Sequence, residues 1–528
     1  MRETLRSRRG MVVAPHHLAA QAGRDVLREG GNAIEAMIAS AAAIAVVYPH
    51  MNSIGGDGFW LISRPGEAPR AIDACGPAVA QADSAFYAGH DTIPSRGPLA
   101  ALTVAGTVGG WTRAQAISQE WGGRLPLSRL LADAAEHARH GIAVTRSQAA
   151  LGAAKHDELV GVPGFAEHLF IDGRPPDVGT VLKQSRLADT LDQLARAGLD
   201  DFYRGALADA MAADLEAAGS PLRRRDLADF AAREVAPLAV ALHDADVYNL
   251  PPPTQGLASL MILGLFDRLG VAEGEGFAHL HGLIEATKQA FLVRDREVTD
   301  PAWMTRDPST WLTDTHLDTL AAQIDPAQAL PWPQPDAPGD TVWLGCIDGD
   351  GCAVSFIQSI YWEFGSGVVS PSTGVLWQNR GISFSLDAKG RQALAPGRRP
   401  FHTLNPALAR FADGRTMVYG TMGGEGQPQT QAAVFTRYAR FGEPIQQAIS
   451  APRWLLGRTW GENSTTLKLE SRFSADLVEQ LRAAGHDTEI LADAFSDTMG
   501  HAGAVIHRPD GWFEGGADPR SDGIAAGA

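Results

Sequence analysis

Apolar residues recur at helical spacing over 17–29, 33–47, 126–140, 186–197, 204–218 and 278–294, with Gly and Pro as punctuation. Short apolar segments near 58–63 and 236–249 predict strands within this helical half. From residue 341 the pattern changes. Strand signals dominate at 342–347, 352–359, 374–378, 406–411, 416–420, 466–470 and 503–507, with helices predicted at 429–441 and 474–485. Helices and strands are mixed around sheets without strict βαβ alternation, which predicts an α+β layered fold. The chain shows no internal repeat. Its longest apolar run, "AMIASAAAIAVVYP" at 36–49, falls short of the roughly 20 residues of a membrane span. It predicts a buried helix, and no membrane segment is expected.

One transition stands out. In "DAPGDTVWLGCIDGDGCAVSFIQS", residues 336–359, two apolar runs flank an Asp-Gly-Asp-Gly turn at Asp348–Gly351, the pattern of a β-hairpin. Pro331, Pro333, Pro335, Pro338 and Gly339 precede it and read as an exposed linker. Thr341 therefore marks the point where a linker meets a buried strand.

Composition narrows the class of partner. With 528 residues and a net charge of -16, the chain suits small-molecule substrates, and neither a nucleic acid nor an anionic membrane is expected as partner. Cys75, Cys346 and Cys352 are an odd number without CxxC spacing, so a reduced, cytoplasmic setting is expected, and Cys346 and Cys352 on the hairpin arms read as small apolar side chains. Arg8 and Arg9 raise a twin-arginine export signal, but the apolar run that follows, Met11–Pro15, is too short for a signal core. A GxSxG elbow, a P-loop and an HExxH motif are all absent. His137 and His140 lack a third ligand at useful spacing and read as solvated, and "GDG" at 349–351 lacks the acidic residues of a calcium loop. No metal and no cofactor are expected.

The order of motifs along the chain carries a resemblance. "AAQAGRDVLREGGNAIEAMIA", "IGGDGFWLI", "PPPTQG", "EATKQAFLVRDR", "GDTVWLGCIDGDGCAVSF", "FGSGVVSPSTGVL", "RPFHTLNP", "GTMGGEGQPQT", "APRW" and "DPRSDG" together resemble the γ-glutamyltranspeptidase family of N-terminal-nucleophile hydrolases. The resemblance implies a four-layer αββα sandwich made as one precursor that cuts itself between Asp340 and Thr341. Residues 1–340 would form the large subunit and 341–528 the small one, paired as a heterodimer or a dimer of heterodimers. It implies Thr341 as nucleophile, Ser359 as the hydroxyl supporting it, and Gly423-Gly424 as the oxyanion site. The freed α-amino group, with a reference pKa of ~7.7–8.0, would serve as base for its own hydroxyl. Plain readings stand beside these: β-propensity for Thr341, a core hydroxyl for Ser359, a turn for the glycine pair.

The substrate pocket departs from the family. The Arg that holds a γ-glutamyl α-carboxylate falls at Asp73, and the acidic residue that holds the α-ammonium falls at Ser383. Paired hydroxyls become His402 and Thr403, while Arg380 stands where a neutral side chain is usual. A buried guanidinium can clamp a carboxylate, so Arg380, His402, Thr403, Ser383 and Tyr361 are expected to bind substrate. A structural ion pair from Arg380 to a neighbouring carboxylate is the plain alternative. The pattern resembles the amidohydrolase branch, which includes oxamate amidohydrolases and glutaryl-cephalosporin acylase-like proteins. Hydrolysis of a small carboxylate-bearing amide, led by the oxamate type, is the expected activity. A γ-glutamyltransferase or glutathione hydrolase, a glutaryl-cephalosporin acylase-like amide hydrolase, and an uncut scaffold without catalysis are the alternatives.

Overall fold

In the computed structural model, which describes residues 2–332, 340–457 and 465–528, the predicted hairpin lies at the centre of the fold. Its arms, Asp340–Asp348 and Ala353–Tyr361, sit inside a seven-stranded antiparallel sheet. Gly10–Ala14 and Ile524–Gly527 extend this sheet on one side, and Asp57–Ser63, Arg70–Ala74 and Arg233–Val235 on the other. A second seven-stranded antiparallel sheet runs Leu5–Ser7, Phe513–Ala517, Ala502–His507, Thr416–Thr421, Ala407–Phe411, Ala245–Asn249, Leu238–Ala241.

Strand alternation explains why the sheets stack. Trp343 and Ile347 join Phe59, Ile357, Leu408, Val418 and Val505 in a core between the sheets, whereas Val342, Leu344 and Cys346 turn to the outer face. Trp343 fills the gap so closely that a Cβ on Gly420 or Gly503 of the facing sheet would lie 2.2 or 2.5 Å from its ring. Helices His17–Arg28, Ala33–Val47 and Thr107–Glu120 cover the outer face of the first sheet. Gly256–Arg268, Phe277–Glu297 and Gly426–Phe435 cover that of the second. The result is the expected four-layer αββα sandwich.

The apolar run at 36–49 belongs to a fully buried helix. Asn32 and Glu35 form a reciprocal capping box at its start, and the Asp348 carboxylate of the hairpin turn accepts the Ala33 N–H at 2.8 Å. Asp348 also accepts the Asp350 and Cys352 N–H groups, so one side chain shapes the turn and caps the helix. Among the described residues no helix is long and apolar enough to cross a membrane.

Several predicted elements differ. The helix over 126–140 breaks at Leu131 into Leu127–Leu130 and Ala132–His140. That over 204–218 starts afresh at Ala206, because the Asp201 carboxylate accepts the Ala206 and Leu207 N–H groups. Residues 236–249 form a hairpin of Leu238–Ala241 and Ala245–Asn249 instead of one strand. Residues 374–378 are not a strand: they are apolar because they are buried, and their main chain bonds to a loop, as in Trp377 N to Val368 O at 2.9 Å. The helix over 429–441 is Gly426–Phe435 followed by a π-helical turn, Thr436–Arg440. The cysteines are free and buried, and burial holds the Cys75 and Cys346 thiols above their ordinary range. Of the proline-rich linker, residues 333–339 lie outside the described residues.

Candidate active site

Thr341 occupies an irregularity in the hairpin ladder. Asp340 lies opposite Tyr361 and Val342 opposite Gln358, so Ser359 and Ile360 together face the single residue Thr341. Such bulges twist a strand end and re-aim its side chains. Thr341 is fully buried, and its Oγ1 accepts a hydrogen bond from Gln427 Nε2 at 3.3 Å. Gln427 lies in the first turn of the Gly426–Phe435 helix and is held by Asn405 Nδ2 on its Oε1 at 3.0 Å. The hydroxyl on one sheet is thus oriented by a side chain anchored on the other. Ser359 is buried close by, with its Oγ accepting the Tyr361 N–H at 2.8 Å.

Gly423 and Gly424 follow the Thr416–Thr421 strand and have φ of +114° and +52°. Two successive left-handed residues, followed at once by a helix, demand glycine. Gly423 O accepts the Gly426 N–H at 2.8 Å, and Gly424 O accepts Gln255 Nε2 at 2.8 Å. Among the described residues neither glycine N–H has a hydrogen-bond partner. Two unpartnered amides at a helix start suit a developing oxyanion.

Arg380 lies on a 3₁₀ turn, Arg380–Ser383, and is fully buried. Its guanidinium stacks over the Tyr361 ring at 3.8 Å, and Nη1 donates to Thr403 Oγ1 at 3.5 Å. Among the described residues Nε and Nη2 have no hydrogen-bond partner, and no carboxylate forms an ion pair with Arg380. The structural ion pair offered by the sequence is therefore not found. Burial lowers the Arg380 pKa to about 10, against the attraction of Tyr361 and Asp57. Tyr361 itself has φ of +82°, a conformation that costs a bulky residue of order 1–3 kcal/mol and that this hairpin end imposes.

Among the described residues His402 makes no hydrogen bond to Arg380. Its Nε2 lies 2.8 Å from Asp57 Oδ2, and its Nδ1 has no partner among the described residues. Burial, then the Arg380 charge, keep the imidazole neutral. Asp57 is also fully buried: Oδ1 accepts the Gly76 and Gly106 N–H groups and Gln378 Nε2, at 3.0, 3.1 and 3.1 Å. Burial outweighs those donors and raises its pKa to about 7. Asp73 is engaged elsewhere, with Arg233 Nη2 at 2.5 Å and Arg399 Nε at 3.8 Å. Ser383 donates to the main-chain oxygens of Arg380 and Phe401, at 3.0 and 3.4 Å, and lines a cleft of about 330 Å³ with Arg294, Arg391, Phe401 and Glu425. That cleft adjoins Gly424 and His402 through their chain neighbours Glu425 and Phe401.

Thr341, Ser359, Tyr361, Arg380, His402, Thr403 and the Gly423-Gly424 pair thus converge from both sheets on one end of the sandwich. Asp57, Gln378, Gln427, Asn405 and Gln255 were not anticipated, although "IGGDGF", "WQNRG" and "GQPQ" place polar residues inside apolar surroundings. Among the described residues two groups bring metal-ligand atoms within 4.8 Å of one another: Asp57, Cys75 and His402, and His281, Glu285 and His486. Neither has the character of a cation site. The first lies beside the Arg380 guanidinium, and in the second Lys288 Nζ already occupies Glu285 at 2.7 Å.

Residues 19–528 match the family described as Gamma-glutamyltranspeptidase. An oxamate amidohydrolase proenzyme of Klebsiella pneumoniae is 56% identical over 522 residues, covering 99% of each chain. A glutathione hydrolase-like proenzyme of Bacillus subtilis is 39% identical, covering 98% of each. The solved cephalosporin acylase from Bacillus halodurans superposes with a TM-score of 0.91 at 34% identity, over 100% of this chain and 97% of that one.

Proposed function

We propose, from the premise that this chain belongs to the γ-glutamyltranspeptidase family, that it is a self-processing amidohydrolase of oxamate or a close carboxylate-bearing amide. The buried Arg380 with its two unpartnered nitrogens carries the substrate assignment. Leaving such donors unsatisfied costs about 1–3 kcal/mol each, more for a charged group, so a site that keeps them is built for an anion. The relative named for oxamate supports the smallest acyl group that presents a carboxylate beside the scissile carbonyl.

In the precursor, Thr341 Oγ1 attacks the Asp340 carbonyl, the peptide nitrogen becomes the α-amino group of Thr341, and water opens the resulting ester. Residues 1–340 and 341–528 then form the two subunits. In the mature enzyme that amine takes the hydroxyl proton while Oγ1 adds to the oxamate carbonyl. Gln427 holds the hydroxyl in position, and the Gly423 and Gly424 amides stabilise the oxyanion. The proton passes to the departing ammonia, and water releases oxalate from the acyl-enzyme. Arg380 and Thr403 hold the substrate carboxylate throughout, with Tyr361 beneath the guanidinium.

The test is a kinetic panel of oxamate, a glutaryl amide and glutathione. Asp73 and Ser383 replace both γ-glutamyl anchors, each worth roughly 1.5–3 kcal/mol, so glutathione should trail oxamate by about two to four orders of magnitude in kcat/KM. Equal efficiency on glutathione would overturn the assignment. The glutaryl amide tests a second reading, which the likeness to the cephalosporin acylase favours.

A further inference from the structure

The Asp57–His402 pair poses a problem for an anion-binding site. With Asp57 ionised, His402 must donate Nε2–H to Oδ2, which leaves Nδ1 a bare acceptor. A lone pair within the electrostatic reach of Arg380 disfavours a carboxylate bound there. The hydrogen bonds of Asp57 are also unevenly divided: among the described residues Gly76, Gly106 and Gln378 all donate to Oδ1, and Oδ2 has His402 as its one partner. Oδ2 is therefore an oxygen that can take a proton without displacing a donor.

We propose that Asp57 and His402 form a proton-loading pair that takes up one proton from solvent as the substrate carboxylate binds. The imidazole passes its Nε2 proton to Asp57 Oδ2 and receives the new proton at Nδ1. Asp57 Oδ2–H then donates to Nε2, and Nδ1 carries a proton in place of a lone pair within the electrostatic reach of the Arg380 site. One negative charge enters, one positive charge accompanies it, and the buried site keeps its net charge. This deepens the assignment of Arg380 as the carboxylate clamp and rests on it.

The surroundings allow the change. The Arg380 guanidinium, the neutral thiol of Cys75 and the Tyr203 phenol lie around the pair, with Tyr361 stacked on Arg380 and Asp73, beyond Cys75, held by Arg233 and Arg399. Burial has already brought Asp57 to about 7, so little is needed to retain a proton at neutral pH. Binding raises that value further. Affinity for an anion should therefore be complete below about pH 7 and weaken by up to about tenfold per pH unit above it. Asp57 and His402 act here as positioning residues, since Arg380 makes the direct contact.

Asp57→Asn reproduces the loaded state. Its carbonyl can accept the same three N–H groups and its amide can donate to His402 Nε2, which fixes the proton on Nδ1.

The experiment titrates pyruvate, in which a methyl group replaces the amino group of oxamate, into the processed enzyme by calorimetry. Buffers of different ionisation enthalpy at pH 8 give the proton count. Wild type should take up close to one proton more than Asp57→Asn, and between pH 7 and 9 its affinity should fall by up to about tenfold per pH unit more than that of the variant. The new α-amino group of Thr341 titrates in the same range but is present in both proteins, so their difference isolates Asp57. No uptake by wild type, a measurement that needs no variant, or an unchanged pH slope in Asp57→Asn, would overturn the proposal. Failure of the clamp itself looks different: Arg380→Met would then leave kcat/KM for oxamate unchanged.

Discussion

Replacing Arg380 with Met should move activity and stability in opposite directions. The guanidinium is fully buried, with Nε and Nη2 unpartnered and Nη1 only 3.5 Å from Thr403 Oγ1. If both unpartnered nitrogens serve the substrate carboxylate, two charge-assisted bonds are lost, about 3–6 kcal/mol together, or roughly 10²–10⁴-fold in kcat/KM. The empty protein should not suffer. Removing two unsatisfied charged donors relieves about 1–3 kcal/mol each, against at most ~2 kcal/mol for the stacking over Tyr361. The melting temperature of the unliganded variant should hold or rise. Arg380→Lys keeps charge without the planar fork and should fall between wild type and Met in activity. The assay compares oxamate with its neutral methyl ester: wild type should prefer the acid, and Arg380→Met should lose that preference while still cutting itself. A clear fall in melting temperature, with acid and ester activity lost in equal measure, would refute the reasoning and make Arg380 a structural residue.

Other consequences are simpler to check. Gly423→Ala makes only ordinary van der Waals contact, since the nearest atom to a new Cβ is Gly500 Cα at 3.4 Å, so its penalty is the φ of +114°. The disturbed amide should lower kcat by about 10²–10³ with little change in KM, and a changed KM at constant kcat would remove the glycine from the oxyanion site. Asp518 is buried between Arg453, at 2.5 Å, and Arg520, at 3.1 Å, and the two cations hold its pKa down to about 2 despite burial. Its pKa is depressed, so its stabilisation is complete above about pH 4 and fades as pH falls toward 2. Asp518→Asn should cost about 3–5 kcal/mol in denaturant unfolding at pH 7, and a loss under 1 kcal/mol would contradict the buried triad.

The sandwich was legible because its signals are local. The hairpin at 340–361 has alternating apolar faces and an Asp-Gly turn, and the 33–47 helix carries its capping residues in sequence. Short strands such as Gly10–Ala14 and Phe513–Ala517 were not legible: the first is too short to set a period, and the glycine pair of the second follows from close packing, as where Gly515 leaves room for the Met11 side chain. Apolar residues at 374–378 imitate a strand because a buried loop needs the same composition. Arg380 could be singled out from a charge pattern, but its lack of a counter-ion is a property of three dimensions. Asp57 and Gln427 were missed for a related reason. Their partners lie 345 and 86 residues away in the chain, and a buried carboxylate or amide in sequence resembles any turn residue.

The central claim is that Thr341 opens the chain and then serves as the nucleophile, and the mass of the purified protein tests it most directly. Wild type should separate under denaturing conditions into fragments of residues 1–340 and 341–528. Thr341→Ala should stay whole and inactive, while Thr341→Ser, which keeps a hydroxyl with freer rotamers, should be cut slowly. A Thr341→Ala protein cut between 340 and 341 would show that another agent performs the cleavage, and a whole wild-type chain that still hydrolyses oxamate would contradict the account altogether.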